Sequence, residues 1–296
     1  MNGKLSALPR ETFAVQAGKP LDEKTQRIAL EELRETPERR EEALVALRKL
    51  IHDEEKFHFR DDDDFLLIFL RPTKFYPESA FALIKKLCEF RANNGSVLDG
   101  LEPSSEEGSF KEGVVNVLID RDQLGRRIMV CNLGACWEPK RINVDQIFRL
   151  FYLIHQMAVL EPQSQVSGVV VILDFDGMGM KQVGAFSIAF SRRLLSFIQD
   201  AMPLRLKNIH IVKQPYVFNI VFNMFKPFIR EKLKSRMFFH GKDMPSLHKF
   251  ISPECLPEDY GGSRPKIAYS GADWYETIKS EVDYIKQWHN FGYTKE

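Results

Sequence analysis

The chain has 296 residues, of which 44% are hydrophobic and 28% are charged, and its formal net charge at pH 7 is +1. This length and composition predict a globular protein with one large and one smaller domain. The longest apolar runs, FLLIFL and VVVIL, fall well short of the about 20 residues that a transmembrane helix needs. The N-terminus lacks the apolar core of a signal peptide, and four irregularly spaced cysteines indicate reduced thiols, so we expect a cytoplasmic protein.

The first part of the chain is predominantly helical in pattern. Residues 1–20 show weak periodicity, and we expect a flexible tail there. Residues 21–92 are expected to form an N-terminal helical domain. The acidic run 61–64 precedes one of its helices, where carboxylates are favourable, and it lacks the spaced ligands of a calcium-binding loop. The polar, Gly- and Ser-rich stretch 93–112 is typical of a linker.

From residue 113 onward, strand-like runs alternate with helical patterns. This alternation predicts an α/β domain with a mainly parallel sheet over residues 113–262. The expected strands lie in the runs GVVNVLID, RRIMVCNL, SGVVVILDF, KNIHIV and RMFFHG. A C-terminal helical extension is expected over residues 263–296.

Residues 203–242 are unusual because they are both basic and apolar. They contain nine Lys or Arg and a single acid, Glu231, among many Phe, Val, Ile and Met residues. This combination indicates a surface that contacts anionic lipid headgroups and apolar lipid together. We expect no nucleic-acid partner, because the whole chain is close to neutral and the aromatic residues have helical spacing.

The helical part of this segment carries two neighbouring apolar stripes. At 100° per residue, the stripes are Val217, Val221, Met224 and Phe228, and Phe218, Phe222, Phe225 and Ile229. Such a broad apolar arc fits a helix between two protein layers, or a lid with one stripe on a pocket and the other on a membrane. The basic residues that follow favour the lid, because fully buried helices rarely continue into a basic cluster.

Motifs of the common enzyme classes are absent from the sequence: it contains no GxGxxG, P-loop, HExxH or GxSxG. Asp174 and Asp176 follow a buried strand, where a DxD pair could hold a metal ion. The alternative, which we favour, is that these acids cap a loop and pair with basic groups. We therefore expect no enzyme activity, no cofactor and no metal.

Three motifs resemble one known family. GVVVILDFDG, the run PLRLKNIHIVKQPYVFNIVFNMFKPFIREKLKSRMFFHG and LPEDYGG are similar to the CRAL-TRIO lipid-transfer proteins, in particular the branch of α-tocopherol transfer protein and cellular retinaldehyde-binding protein. The likeness covers about residues 25–265. It implies the CRAL-TRIO fold: a small N-terminal helical domain on an α/β domain, whose mainly parallel sheet floors an apolar cavity. A gate helix at about Gln214–Phe225 closes that cavity.

The resemblance also implies which side chains line the pocket. These are Phe148, Phe151, His155, Val169, Val171, Leu173, Leu194, Phe197, Ile198 and Met202, with Phe218, Phe222 and Phe225 packing inward from the gate. Phe151 and His155 stand at the positions of two serines of the tocopherol protein, and Phe197 replaces a valine, so the expected cargo is not necessarily tocopherol. His155 could orient a ligand hydroxyl or carbonyl, or it could bond a neighbouring backbone group.

Two further sets of residues follow from the same resemblance. The expected membrane-facing residues are Met180, Val217, Val221 and Met224. The expected contacts with a phosphoinositide such as PIP2 are Arg71, Arg205, Lys232 and Arg236.

The sequence thus predicts a monomeric, non-enzymatic carrier of one hydrophobic molecule, such as a retinoid, carotenoid, tocopherol or similar isoprenoid. It would exchange this lipid at phosphoinositide-containing membranes by opening its gate. We expect it in the cytoplasm and transiently on endosomal or plasma membrane surfaces. The alternative is a phosphoinositide-reading adaptor in trafficking, with the bound lipid as a cofactor.

Overall fold

The computed structural model describes residues 6–294. The elements of its N-terminal helical domain are α1 (Glu23–Leu33), α2 (Pro37–Asp53), β1 (Phe57–His58), α3 (Asp63–Leu70) and α4 (Pro77–Asn93). Asp22, Thr36 and Asp62 cap α1, α2 and α3, each by accepting a hydrogen bond from a backbone N–H of the first turn. Every side chain from Phe65 to Leu70 is buried, so α3 forms the centre of this domain.

Residues 93–112 are part of the packed structure, which corrects the prediction of a linker. They contain α5 (Gly95–Leu98) and α6 (Glu107–Lys111), joined through a 3-10 turn. Leu98 and Phe110 are buried in the main core. Most of the polar residues that suggested a linker are exposed, but Glu106 and Ser109 are buried, where Ser109 donates to Glu106 at 2.6 Å and accepts from Gln146 at 3.0 Å.

The central sheet has five strands in the order β2-β3-β4-β5-β6. They are β2 (Val115–Val117), β3 (Arg127–Asn132), β4 (Val169–Asp174), β5 (Leu206–Val212) and β6 (Met237–Gly241). Only the β2–β3 pair is antiparallel, and the other neighbours within this sheet are parallel. The prediction of a mainly parallel α/β sheet is therefore confirmed.

Parallel strands require crossover connections, which here are helical. The helices of this domain are α7 (Val144–Val159), α8 (Pro162–Ser167), α9 (Met180–Val183), α10 (Ile188–Ser196), α11 (Phe218–Phe225), α12 (Glu231–Lys234) and α13 (Met244–His248). A capping box between Asn143 and Gln146 begins α7, and a π-helical turn at Phe197–Ala201 follows α10. Within residues 6–294, no helix is long and apolar enough to cross a membrane.

The two faces of the sheet have different roles because side chains alternate along each strand. In β4, Val169, Val171 and Leu173 point to the face that is covered by α7, α10 and α11. Val170 and Ile172 point to the opposite face, where a second apolar cluster is formed. This second cluster also contains Leu118, Ile128, Val130, Val212, Leu247, Ile251, Leu256 and Tyr260.

The N-terminal arm packs on the rest of the protein. Of the predicted flexible tail, residues 1–5 lie outside the described range. Phe13 is buried and packs edge-on against Trp274, with 5.3 Å between the ring centroids. The backbone N–H of Gln16 donates to a carboxylate oxygen of Glu161 at 3.1 Å. The prediction of a free tail is therefore wrong for the described part of this arm.

The C-terminal extension returns to the N-terminal domain. Its elements are α14 (Gly271–Ser280), α15 (Val282–Gln287) and β7 (Gly292–Tyr293), and the final two residues of the chain lie outside the description. Strand β7 pairs antiparallel with β1. Trp288 is buried against Phe65 of α3, with 5.1 Å between the rings. The extension thus completes the core of the N-terminal domain.

Candidate functional site

An apolar cavity of about 210 Å³ lies between the sheet and helices α7, α10 and α11. Its floor is formed by alternate residues of β3, β4 and β5, namely Met129, Cys131, Val169, Val171, Leu173, Ile209 and Ile211. Side walls come from α7 and α10, and the gate from α11. A hydrocarbon lining of this kind suits a ligand that is held by the hydrophobic effect.

The structure brings together nearly all of the predicted pocket residues. Those on the cavity wall are Phe148, Phe151, His155, Val169, Val171, Leu173, Leu194, Ile198, Met202, Phe218, Phe222 and Phe225. Phe197 is the exception, because it lies one layer behind the wall. Its ring contacts those of Phe151 and His155 at centroid distances of 5.7 and 5.2 Å. Phe197 begins the π-helical turn, so the α-helical spacing of the preceding residues does not extend to it.

Helix α11 covers the cavity with a single inward stripe. Phe218, Val221, Phe222 and Phe225 have the i, i+3, i+4, i+7 spacing of one helical face, and all of them line the cavity. Val221 is only 2% exposed, so the prediction that it faces a membrane is wrong. The two apolar stripes adjoin each other, and Val221, at i+3 from Phe218 and four residues before Phe225, lies on the face of the inward phenylalanines.

The outward side of the gate presents other apolar residues. Tyr216 is 90% exposed and Ile220 is 45% exposed, and Met180 on the neighbouring α9 is 62% exposed. Val217 and Met224, which the sequence also predicts to face a membrane, are half-buried against the core. We call Met180, Tyr216 and Ile220 the outer gate face.

His155 is a polar residue on an otherwise apolar wall. It is 5% exposed, and burial lowers the pKa of its imidazole to about 3, so the ring is neutral at physiological pH. Its ring packs against those of Tyr152 and Phe197. Neither Nδ1 nor Nε2 has a hydrogen-bond partner in the part of the chain that the structure describes. The sequence left open a bond from His155 to a neighbouring backbone group, and this bond is not formed.

An ion-pair network closes one end of the cavity. Arg127 Nη2 donates to Glu161 Oε1 at 2.6 Å, and Arg121 Nη2 donates to Glu161 Oε2 at 2.7 Å. Burial alone would raise the pKa of Glu161, but the hydrogen bond and charge of Arg127 lower it to about 2. Arg127 and Glu161 both line the cavity, and Arg127 donates to both oxygens of Glu161 and to the carbonyl of Ile119, so its guanidinium is already engaged within the protein.

Arg71 has a structural role that the sequence did not indicate. It is 4% exposed, and its Nε and Nη2 donate to the two carboxylate oxygens of Glu35 at 3.0 and 2.8 Å. Its Nη1 donates to Gln165 Oε1 at 2.5 Å. The prediction that Arg71 contacts a headgroup is therefore wrong, because its guanidinium is buried and fully engaged between α3, the end of α1 and α8.

The other predicted basic residues lie at one end of strands β5 and β6. Arg205 and Lys207 both donate to the carboxylate of Glu32 on α1, and the Lys207 Nζ to Oε2 distance is 2.8 Å. Arg236 donates to a backbone carbonyl of β5 at 2.5 Å, and burial together with the nearby charge of Arg205 lowers its pKa. Lys232 is exposed on α12. We call Arg205, Lys207, Lys232 and Arg236 the basic cluster.

Asp174 forms an ion pair, in which Lys213 Nζ lies 3.0 Å from Asp174 Oδ2. This is the pairing of strand-end acids that the sequence favours over a metal site. Across residues 6–294, no group of three or more His, Cys, Asp or Glu side chains is placed to hold a metal ion.

A buried histidine pair was not identified from the sequence. His210 Nδ1 and His240 Nε2, on β5 and β6, are 2.9 Å apart on the sheet face opposite the cavity. His240 Nδ1 also lies 2.8 Å from Ser246 Oγ. Burial, with a contribution from the charge of His240, lowers the pKa of His210 to about 3. The two residues are 30 positions apart, so only the pairing of the strands could have revealed their contact.

Comparisons with known proteins agree with this architecture. The profile of the CRAL/TRIO domain matches residues 111–262. The human protein named alpha-tocopherol transfer protein-like is 31% identical over 261 residues, which cover 88% of this chain and 75% of that protein. Human clavesin-2 is 31% identical over 267 residues, which cover 89% and 80% of the two chains.

The fold is also similar to a solved structure. That of Sfh5 aligns with a TM-score of 0.51 at 15% identity and covers 90% of this chain and 99% of that one. Because of its low identity, this match concerns the fold alone. The domain match and the two sequence relatives settle the classification: the chain belongs to the CRAL/TRIO domain family.

Proposed function

We propose that this protein is a non-enzymatic carrier of one hydrophobic molecule, such as a retinoid, carotenoid, tocopherol or similar isoprenoid. The observation that carries the proposal is the apolar cavity, which α11 covers with four inward side chains. Each CH₂ group contributes about 0.8 kcal/mol to the free energy of transfer from an apolar site to water. For a lipid of twenty carbons, this transfer therefore costs more than about 10 kcal/mol. Release into water is therefore too slow, and exchange requires α11 to open against a bilayer.

We also propose that exchange takes place at membranes that contain a phosphoinositide such as PIP2. Two features support this step. The outer gate face carries Tyr216 and Ile220, which suit the boundary between headgroups and acyl chains. The basic cluster belongs to the strands and the crossover that also hold the gate, and each of its cations contributes about 1 kcal/mol near an anionic surface. The protein would act as a monomer in the cytoplasm and bind endosomal or plasma membranes transiently.

The proposal is tested by lipid transfer between vesicles. Purified protein is incubated with donor vesicles containing a lipid extract of its source tissue, and the lipids that reach acceptor vesicles are identified by mass spectrometry. We expect the wild type to enrich one class of hydrophobic molecule, and we expect Ile220→Ser to transfer it more slowly. Leu30→Ser is the matched control, because Leu30 is 53% exposed on α1, outside the outer gate face.

Two results would contradict the proposal. A protein that acquires no lipid from the extract would not be a carrier. A protein that binds phosphoinositide vesicles but moves no lipid to the acceptors would fit the adaptor instead, with its pocket lipid as a permanent cofactor.

A further inference from the structure

We propose that the cargo is an uncharged lipid with a hydroxyl group, and that His155 binds this hydroxyl inside the cavity. The inference rests on the proposed carrier function and narrows its ligand class. It is carried by the two ring nitrogens of His155, which are buried and without a partner.

His155 differs in this respect from the other polar side chains of the wall. Arg127 and Glu161 are paired with each other, and Trp274 Nε1 donates to the carbonyl of Val117 at 3.0 Å. Among the described residues that line the cavity, His155 is the one with a buried side-chain nitrogen or oxygen that lacks a hydrogen bond. Buried polar groups without a partner are rare because they lose their hydration without compensation. A ligand in the cavity is the natural partner for this imidazole.

The chemistry of the imidazole selects the ligand group. A neutral histidine has one N–H donor and one bare nitrogen that accepts. A hydroxyl can accept from the first or donate to the second, so it pairs with either tautomer of His155. An ether or ketone can only accept, and a hydrocarbon leaves both nitrogens unpaired.

An anionic ligand fits the cavity poorly. Burial lowers the pKa of His155 to about 3, so the ring does not supply a positive charge at physiological pH. Arg127 is the one lysine or arginine on the described wall, and its guanidinium already donates to both oxygens of Glu161 and to the carbonyl of Ile119. A carboxylate or phosphate would therefore have to compete with a buried ion pair for this guanidinium. These conditions leave the uncharged alcohols as the best-matched class.

The test uses three probes that share one flexible chain: hexadecan-1-ol, 1-methoxyhexadecane and hexadecane. Each is mixed into phosphatidylcholine vesicles, the protein is incubated with them and reisolated, and the bound probe is measured by mass spectrometry. We expect the wild type to prefer the alcohol over the hydrocarbon about tenfold, the factor expected of one buried hydrogen bond, and over the ether by a smaller factor, because the ether can still accept from the ring N–H. His155→Phe should lose this preference but still take up hexadecane.

Two further variants serve as controls. Phe151→Leu changes the volume of the same wall without changing its polar groups, so it should alter the uptake of all three probes alike. His155→Gln keeps one donor and one acceptor group, and it should retain part of the preference for the alcohol. Because Gln also tests the site if His155→Phe fails to fold, the inference does not depend on one variant.

Failure of the proposed role of His155 and failure of the proposed carrier function give different results in this test. Equal uptake of the alcohol and the hydrocarbon by the wild type and by the His155 variants would overturn the role of His155 and leave the carrier intact, and equal uptake of the alcohol and the ether by the wild type would overturn the choice of a hydroxyl. Uptake of none of the three probes by any of the proteins would overturn the carrier and, with it, the ligand class. As an independent readout, the ¹⁵N shifts of the His155 ring should change with hexadecan-1-ol and not with hexadecane; unchanged shifts with the bound alcohol would also overturn the inference.

Discussion

Glu32 is expected to restrain the binding of the basic cluster to anionic membranes. Arg205 and Lys207 both donate hydrogen bonds to its carboxylate. Burial alone would raise the pKa of Glu32, but the hydrogen bonds from Lys207 and Arg205 lower it, so the group is ionised at pH 7. A headgroup phosphate that approaches Arg205 and Lys207 must compete with this carboxylate.

The size of the effect follows from charge. Glu32→Gln removes one negative charge and keeps the shape of the side chain. One unit of charge near an anionic surface corresponds to about 1 kcal/mol, which is about a fivefold change in affinity. The Glu32 side chain is 46% exposed, so solvent screening makes this value an upper limit. The gain should decrease as the salt concentration rises.

The assay is co-sedimentation with phosphatidylcholine vesicles, with and without phosphatidylinositol bisphosphate. Glu32→Gln should bind the phosphoinositide vesicles more tightly than the wild type. Glu31→Gln is the matched control, because it makes the same charge change on an exposed position of α1 that forms no ion pair with Arg205 or Lys207. Equal binding by the Glu32 and Glu31 variants would refute the reasoning and would show that the basic cluster is not the contact.

Three other expectations concern stability and the gate. Burial lowers the pKa of His155 and of His210 to about 3, whereas a histidine in the unfolded chain has a pKa near 6.5. The unfolded state therefore binds more protons than the folded state, and the stability of the fold decreases as the pH drops below 6.5. At pH 5.5 each should cost on the order of 1 kcal/mol of stability, and urea unfolding of the His→Phe variants at pH 7.5 and 5.5 measures the difference. Ile220→Asp should weaken vesicle binding with an unchanged Tm, whereas Val221→Asp should lower the Tm, because Val221 lies on the cavity wall; equal effects at the two positions would contradict the orientation of α11. Trp288→Ala should reduce the free energy of unfolding by about 3–5 kcal/mol in a urea titration, and a loss below 1 kcal/mol would show that the C-terminal extension does not support the N-terminal domain.

The fold could be predicted where the signal is local. Strands such as VVVIL are short apolar runs between helical patterns, and this alternation is sufficient for a parallel sheet with crossover helices. Helix starts are also local, since Thr36 followed by Pro37 is a cap whose hydrogen bond to the first turn is made within three residues.

Segments that are held by isolated aromatic residues could not be predicted in this way. Phe13 and Phe110 each lie in a stretch that is mostly polar, so no periodic pattern precedes them. The burial of Phe13 and of Trp288 depends on surfaces that are distant in the sequence, namely α14 and α3. The N-terminal arm and the 93–112 segment were therefore assigned too little structure, and the C-terminal extension was predicted as helical but not placed against the N-terminal domain.

The same difference between local patterns and contacts of distant segments applies to the functional residues. Alternation along β4 and the family resemblance together place the cavity floor. The two apolar stripes of α11 adjoin each other, so the sequence pattern does not decide whether Val221 belongs to the inward or the outward stripe, and the contact with the cavity decides it. The family resemblance points to Arg71 but not to its partner Glu35, and it does not single out Lys207, whose role depends on the approach of α1 to β5.

The chain path between β5 and β6 explains why the gate and the basic cluster belong together. These two strands are parallel neighbours, so the segment that joins them must cross over one face of the sheet. Helix α11 is the first part of this crossover, and α12 with Lys232 is its last part. Any lid formed by this connection is therefore tied at both ends to the floor of the cavity that it covers.

The two parts of the crossover differ in how firmly they are held. Behind the gate, Gln199 bonds the carbonyl of Phe228 at 2.9 Å and the N–H of Arg230 at 2.8 Å, and Arg236 bonds β5. Polar bonds thus fix the crossover after Phe228, whereas α11 is held against the cavity by apolar contacts. Contact with acyl chains can replace apolar contacts at little cost in free energy, but it cannot replace these hydrogen bonds. In the proposed mechanism, the basic cluster therefore stays in place and positions α11 over the bilayer, and the lipid surface itself favours the opening of the gate.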